Sequence, residues 1–307
     1  MRVDCAGDAE TRVHFLITGG SGFIGTALCR NLVADGHRAT VLTRNSTRAR
    51  PRLPAHVALV EALDSVADVD AIVNLAGENL AAGRWTARRK REFFDSRVGT
   101  TRRLLEWIAR QERKPRVFVS GSAIGWYGPR GDEELTEGAM PGTDFSADLC
   151  RAWEAEATKA EAFGLRVCCV RTGIVLDRDG GALKKLLLPF RLGIGGRMGD
   201  GRQWMSWIAR ADLVALLRWL AGSAAASGPF NGTAPAPVRN AEFAGTLAAA
   251  LHRPALLATP APALKLLFGE MADLLLTGQR VLPARATADG FCFRYPELPA
   301  ALAAILD

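Results

Sequence analysis

The stretch Leu16–Gly25, LITGGSGFIG, constrains the fold more than any other part of the 307-residue chain. An apolar run ends in clustered glycines, and Phe23-Ile24 follows at once as the start of a helix. Strand, tight turn and helix start, in that order, are what a dinucleotide site on an α/β sheet requires. Gly19 makes the turn, Gly22 lets main chain approach a pyrophosphate, and Gly25 lets helix pack on strand. The pyrophosphate then faces a helix N-terminus, where free N–H groups and the helix dipole favour an anion. Gly19, Gly20, Ser21, Gly22, Phe23, Ile24 and Gly25 are the expected phosphate-side contacts.

The rest of the chain carries the matching rhythm. Near-continuous apolar runs at Val13–Thr18, Ala39–Arg44, Val57–Val60, Ala71–Leu75, Arg116–Ser120 and Arg166–Arg171 read as strands buried on both faces. Helical patterns lie between them at Gly22–Ala34, Thr86–Ala109 and Asp148–Ala162. In the second, Phe94, Val98, Thr101, Leu105 and Ile108 predict one inward stripe. A helix at Ala211–Ala221 and a strand near Pro229–Asn231 follow. Alternating strands and helices predict an α/β domain around a parallel sheet.

The second strand decides the cofactor. An acid at its end reads the ribose of NAD, whereas an arginine accommodates the 2′-phosphate of NADP. From Gly36 to Val60 there is no Asp or Glu, while Arg38, Arg44, Arg48, Arg50 and Arg52 fall in that window. Thr43 and Arg44 close the strand, and a guanidinium fork suits a phosphate dianion. NADP(H) is the expected cofactor.

Other classes are set aside. The net charge of +7 comes from 39 basic and 32 acidic residues, but the arginines are scattered, so no nucleic-acid partner is expected. No apolar run reaches the ~18 residues of a membrane span, and the first residues lack the apolar core of a secretory signal. The expected location is the cytoplasm, with no membrane partner. The six cysteines, Cys5, Cys29, Cys150, Cys168, Cys169 and Cys292, show no C-x-x-C spacing and read as reduced, mostly buried and metal-free.

TGGSGFIG, the Asn74–Gly77 segment NLAG and FVSGSA resemble the extended short-chain dehydrogenase/reductases, in their epimerase branch. NLAGENL…RW…K…SR, SAIGWYG, GDGRQWMSWI, LLFGEMADLLLTGQRVLP and GFCFRYPEL narrow the resemblance to the atypical "epimerase family protein" group, over roughly residues 13–305. The resemblance implies a Rossmann-type, doubly wound parallel sheet of strand order 3-2-1-4-5-6-7 with a small, mostly helical C-terminal lobe. Residues 1–11 are then a flexible tail, 12–175 and 204–235 the NADP-binding domain, and 176–203 with 236–307 the substrate lobe. It implies that Leu75, Ala76 and Gly77 lie along the nucleotide and that Ser122 hydrogen-bonds a reacting carbonyl.

One part of that family's pattern is missing. Its reaction rests on Tyr-x-x-x-Lys, yet Tyr127 and Tyr295, the two tyrosines, are followed four residues later by Gly131 and Pro299. With Glu154 aligned to the acid usually four residues after that lysine, the pair's places fall on Ser146 and Cys150. Tyr127 is then the expected proton donor beside Ser122. Glu78, Arg84 and Trp126 are candidate substrate contacts, with Lys90 and Arg97 as further cations of the cleft. Two functions stay open: an NADP(H)-dependent oxidoreductase or epimerase acting on an unknown small carbonyl or hydroxyl compound, and a non-catalytic NADP(H)-binding sensor or scaffold. The partner is a small molecule, and assembly as a homodimer stays open.

Overall fold

The computed structural model describes residues 12–255 and 257–307. The tail expected at 1–11, and Cys5 with it, lies outside them. Seven strands form one sheet: β1 His14–Thr18, β2 Arg38–Leu42, β3 Ala58–Val60, β4 Ala71–Asn74, β5 Val117–Ala123, β6 Arg166–Thr172 and β7 Gly228–Gly232. Every pairing is parallel and the order is β3-β2-β1-β4-β5-β6-β7, as the resemblance implies. The apolar runs explain this. Leu16, Ile17, Ile72, Phe118, Val119 and Val167 are fully buried, because helices cover both faces. One face packs Leu28, Cys29 and Leu32 with Leu213, Leu216 and Leu220. The other packs Leu104, Ile108, Trp107 and Ala157.

Register brings the strand ends to one edge. Thr18 stands level with Leu42 and Asn74, and Asn74 with Ser120. Ligands of open α/β sheets bind outside that carboxyl edge. Buried side chains hold it: Thr18 Oγ1 donates to Asn74 Oδ1 at 2.6 Å, and Asn74 Nδ2 donates to Thr101 Oγ1 at 2.8 Å.

The segment expected as one helix, Thr86–Ala109, is not one. It runs as α-helix Ala87–Phe94, a π-helical turn Asp95–Gly99, and α-helix Thr100–Arg110. A π turn accommodates one extra residue, so the inward stripe slips by one place before it. Phe93 and Arg97 are buried, whereas Phe94 and Val98 are only half-buried; Thr101, Leu105 and Ile108 are buried as expected. The helix expected at Asp148–Ala162 starts earlier, at Phe145, where Asp144 caps it by accepting from the Ala147 N–H at 2.8 Å.

Beyond β6 the chain builds a second core from Leu176, Leu183, Leu187, Phe190, Met205, Trp207, Phe243, Leu247 and Leu302. Helices Gly181–Arg191, Asn240–Ala250, Ala261–Phe268 and Leu298–Leu306 contribute, with short strand pairs that the sequence pattern did not mark. No helix among the described residues is long and apolar enough to cross a membrane.

Candidate functional site

The glycine loop leaves β1 and enters the helix Phe23–Ala34. Gly19 has φ +67°, and a Cβ there would stand 2.5 Å from the Leu75 carbonyl oxygen, so only glycine fits between the ends of β1 and β4. A Cβ on Gly25 would stand 2.3 Å from Gly19 O, which is the close packing of helix on loop. Gly22 differs. It is exposed, its φ of −82° suits any residue, and a Cβ there would meet only Gly19 O, at 3.0 Å. It occupies the N-cap with no side-chain cap, and the first turn carries no acid. The helix therefore presents uncapped N–H groups beside an unobstructed surface, a cradle that fits a phosphate.

Around it stand the expected nucleotide contacts. Leu75 N donates to Thr18 O at 3.2 Å and Ala76 N to Thr18 Oγ1 at 3.1 Å, which fixes the Leu75–Gly77 segment alongside the loop. Thr43 uses its hydroxyl in the turn that follows β2, accepting from Asn45 N at 3.3 Å. Arg44 reaches into solvent, 92% exposed, and donates to Glu78 Oε1 at 3.0 Å. Arg50, in contrast, closes its own loop on the carbonyls of Val57 and Pro54.

The expected catalytic residues are close together but otherwise engaged. Ser122 is buried and donates its proton to Glu154 Oε1 at 2.6 Å. Glu154 also takes Arg171 Nε and Nη2, both at 2.9 Å, on its two oxygens. Tyr127 is fully buried; its hydroxyl donates to Asn231 Oδ1 at 2.6 Å and accepts from Arg171 Nη1 at 3.1 Å. Burial pushes the phenol above its usual pKa, against the pull of Arg171. Both hydrogen-bonding roles of the Tyr127 phenol are thus filled inside the protein. The Ser122 proton is likewise held by a carboxylate.

The expected substrate contacts also have partners within the protein: Trp126 lies on the Arg171 guanidinium at 3.8 Å, and Arg84 donates to the main-chain oxygens of Leu266 and Leu267. Lys90 pairs with Glu270 over the Phe145 ring. Glu78 pairs with Arg44. The sequence reading missed Arg171, although an arginine closing a central, fully buried strand demands a buried acceptor. Among the described residues no group of three or more His, Cys, Asp or Glu could hold a metal ion.

The role of Tyr127 can be measured. Tyr127→Phe orphans the Asn231 oxygen and one Arg171 donor, and should cost about 1–3 kcal/mol of stability in denaturant unfolding. Cofactor affinity should not change. Because the folded phenol has the higher pKa, its contribution is present below the unfolded value of about 10 and is lost as pH rises through the folded one. The alkaline loss of stability should therefore shrink in Tyr127→Phe.

Comparison with known proteins places this geometry. Residues 15–231 match the NAD dependent epimerase/dehydratase family, and residues 259–305 match a domain of unknown function, DUF1731. The Arabidopsis thaliana epimerase family protein SDR39U1 homolog, chloroplastic, is 39% identical, covering 98% of this chain and 89% of that protein. Epimerase family protein YfhF of Bacillus subtilis is 36% identical, covering 96% and 98%. The crystal structure of the human epimerase family protein SDR39U1 (isoform2) with NADPH superposes with a TM-score of 0.87 at 36% identity, over 95% of this chain and 99% of that one.

Proposed function

The chain belongs to the NAD dependent epimerase/dehydratase family, and from that premise we propose that it binds NADP(H) and serves as an oxidoreductase or epimerase for a small carbonyl or hydroxyl compound. One observation carries the cofactor: an uncapped, acid-free helix N-terminus behind Gly22, with Arg44 exposed at the end of β2. The main chain of Gly19–Gly25 holds the pyrophosphate, Thr43 and Arg44 take the 2′-phosphate, and Leu75–Gly77 lies along the nucleotide. When bound, the cofactor supplies or accepts the hydride. Segments 176–203 and 236–307 form the substrate lobe against 12–175 and 204–235.

The Arg44–Glu78 pair is exposed and of small worth in itself, so a 2′-phosphate exchanges readily for the Glu78 carboxylate. Arg44→Ala is expected to weaken NADPH roughly 10- to 150-fold, the loss of about 1.5–3 kcal/mol in charge-assisted bonds, and to leave NADH unchanged. Titration calorimetry reads both, and equal affinities of the parent protein for NADPH and NADH would sink the assignment.

The non-catalytic reading has a specific observation in its favour: the Ser122 and Tyr127 protons are both held inside the protein. Protein loaded with NADPH and incubated with a metabolite extract separates the two. Net oxidation of the cofactor supports an oxidoreductase, with the proton drawn from water, substrate or Glu78, and a compound changed in configuration with the cofactor unchanged supports an epimerase; tight cofactor with neither change, loaded as NADPH or as NADP+, supports the sensor.

A further inference from the structure

The vacated lysine place at Cys150 is not without a cation nearby. Arg97 comes from the π turn Asp95–Gly99 and is only 9% exposed. Its guanidinium lies against Gly77, whose Cβ, if present, would stand 2.9 Å from Cζ. It also lies over the Trp153 ring, with Cζ 5.2 Å from its centroid. Trp153 is on the same helix as Cys150, and the Arg97 charge lowers the pKa of the Cys150 thiol, although burial and Glu154 hold that thiol up at about 12. Position 150 therefore offers no anion.

Arg97 makes hydrogen bonds from Nη1 to Phe93 O at 3.3 Å and from Nη2 to Glu78 O at 3.0 Å. An arginine has five N–H donors, and two carbonyls do not use them up. Among the described residues no carboxylate stands within ion-pair distance of it. The Glu78 carboxylate acts on it from beyond that distance, against the desolvation that lowers its pKa; a buried charge answered only at a distance is costly, and π turns that set such groups in place concentrate at functional sites. What Arg97 borders is the end of the Leu75–Gly77 segment, on the side where the helix Phe145–Thr158 brings Trp153 and Cys150.

We propose that Arg97 supplies, from the neighbouring helix, the cation that position 150 lacks, and that it binds a hydroxyl oxygen of the nicotinamide-side ribose. This rests on the NADP(H) reading above and extends it to the second half of the dinucleotide. Arg97 is a binding residue of that half, and Arg44 of the other.

Half-molecule probes test it by calorimetry. In the parent protein NADPH should bind at least about 10-fold more tightly than 2′,5′-ADP, which lacks the nicotinamide ribose. Arg97→Met should weaken NADPH roughly 10- to 150-fold and leave 2′,5′-ADP unchanged, whereas Arg44→Ala should weaken both. Arg97→Lys, which keeps the charge, should recover much of the NADPH affinity. The inference is overturned if Arg97→Met binds NADPH like the parent, or if it loses both probes equally. Should Arg97→Met not fold, equal affinities of the parent for NADPH and 2′,5′-ADP overturn it without any variant. A parent protein that binds neither overturns the cofactor reading itself.

Discussion

Gly22→Val is expected to abolish binding of NADPH and NADH alike while the protein stays folded. The backbone at Gly22 is extended, and a Cβ there meets a single main-chain oxygen, Gly19 O at 3.0 Å, so valine needs that oxygen to give by only a few tenths of an ångström. Its side chain then fills the surface in front of the helix Phe23–Ala34, where the pyrophosphate has to come within hydrogen-bond reach of main-chain N–H groups. Losing two such charge-assisted bonds, each worth about 1.5–3 kcal/mol, lowers affinity by about 10²- to 10⁴-fold. Calorimetry with both dinucleotides, alongside a thermal melt, gives the result. Binding within 10-fold of the parent would move the phosphate site elsewhere.

The second large effect is on stability. Arg171→Met should lower it by about 3–5 kcal/mol, because the Glu154 carboxylate stays buried with only Ser122 to answer it. Tyr127 and the Glu137 carbonyl each lose a donor as well, and Trp126 loses the guanidinium under its ring. A fall in Tm on the order of 10 °C is expected. The double variant Arg171→Met/Glu154→Leu should regain much of it, since apolar replacement of a buried pair is often neutral. A single variant melting like the parent would mean that Glu154 does not depend on Arg171.

The sheet was legible because its strands are buried on both faces, so that runs such as FLIT, AIVN and VFVS read as strands without any contact being known. The glycine loop was legible for a related reason: Gly19 and Gly25 are required by approaches under 3 Å that no other residue permits. The chemistry of the site was not. Nothing in SAIGWYG says which way the Ser122 and Tyr127 protons point; Glu154 and Asn231 decide that, from a helix 32 residues and a strand 104 residues away. Periodicity was also a poor guide at Phe94 and Val98, which fit the stripe of an ideal helix. One added residue in the π turn turns Phe93 and Arg97 inward in their place.

That turn also changes which kind of mutation the cleft wall tolerates. An α-helix advances about 100° per residue. Deleting one residue between 95 and 99 would let the segment close as ordinary helix and swing everything before it by that angle relative to Thr101. The buried guanidinium is thus encoded in how many residues precede Gly99 as much as in which residue is arginine. Among descendants of this chain, a one-residue gap at this point would divide those that retain the cation from those that do not, at any level of overall identity.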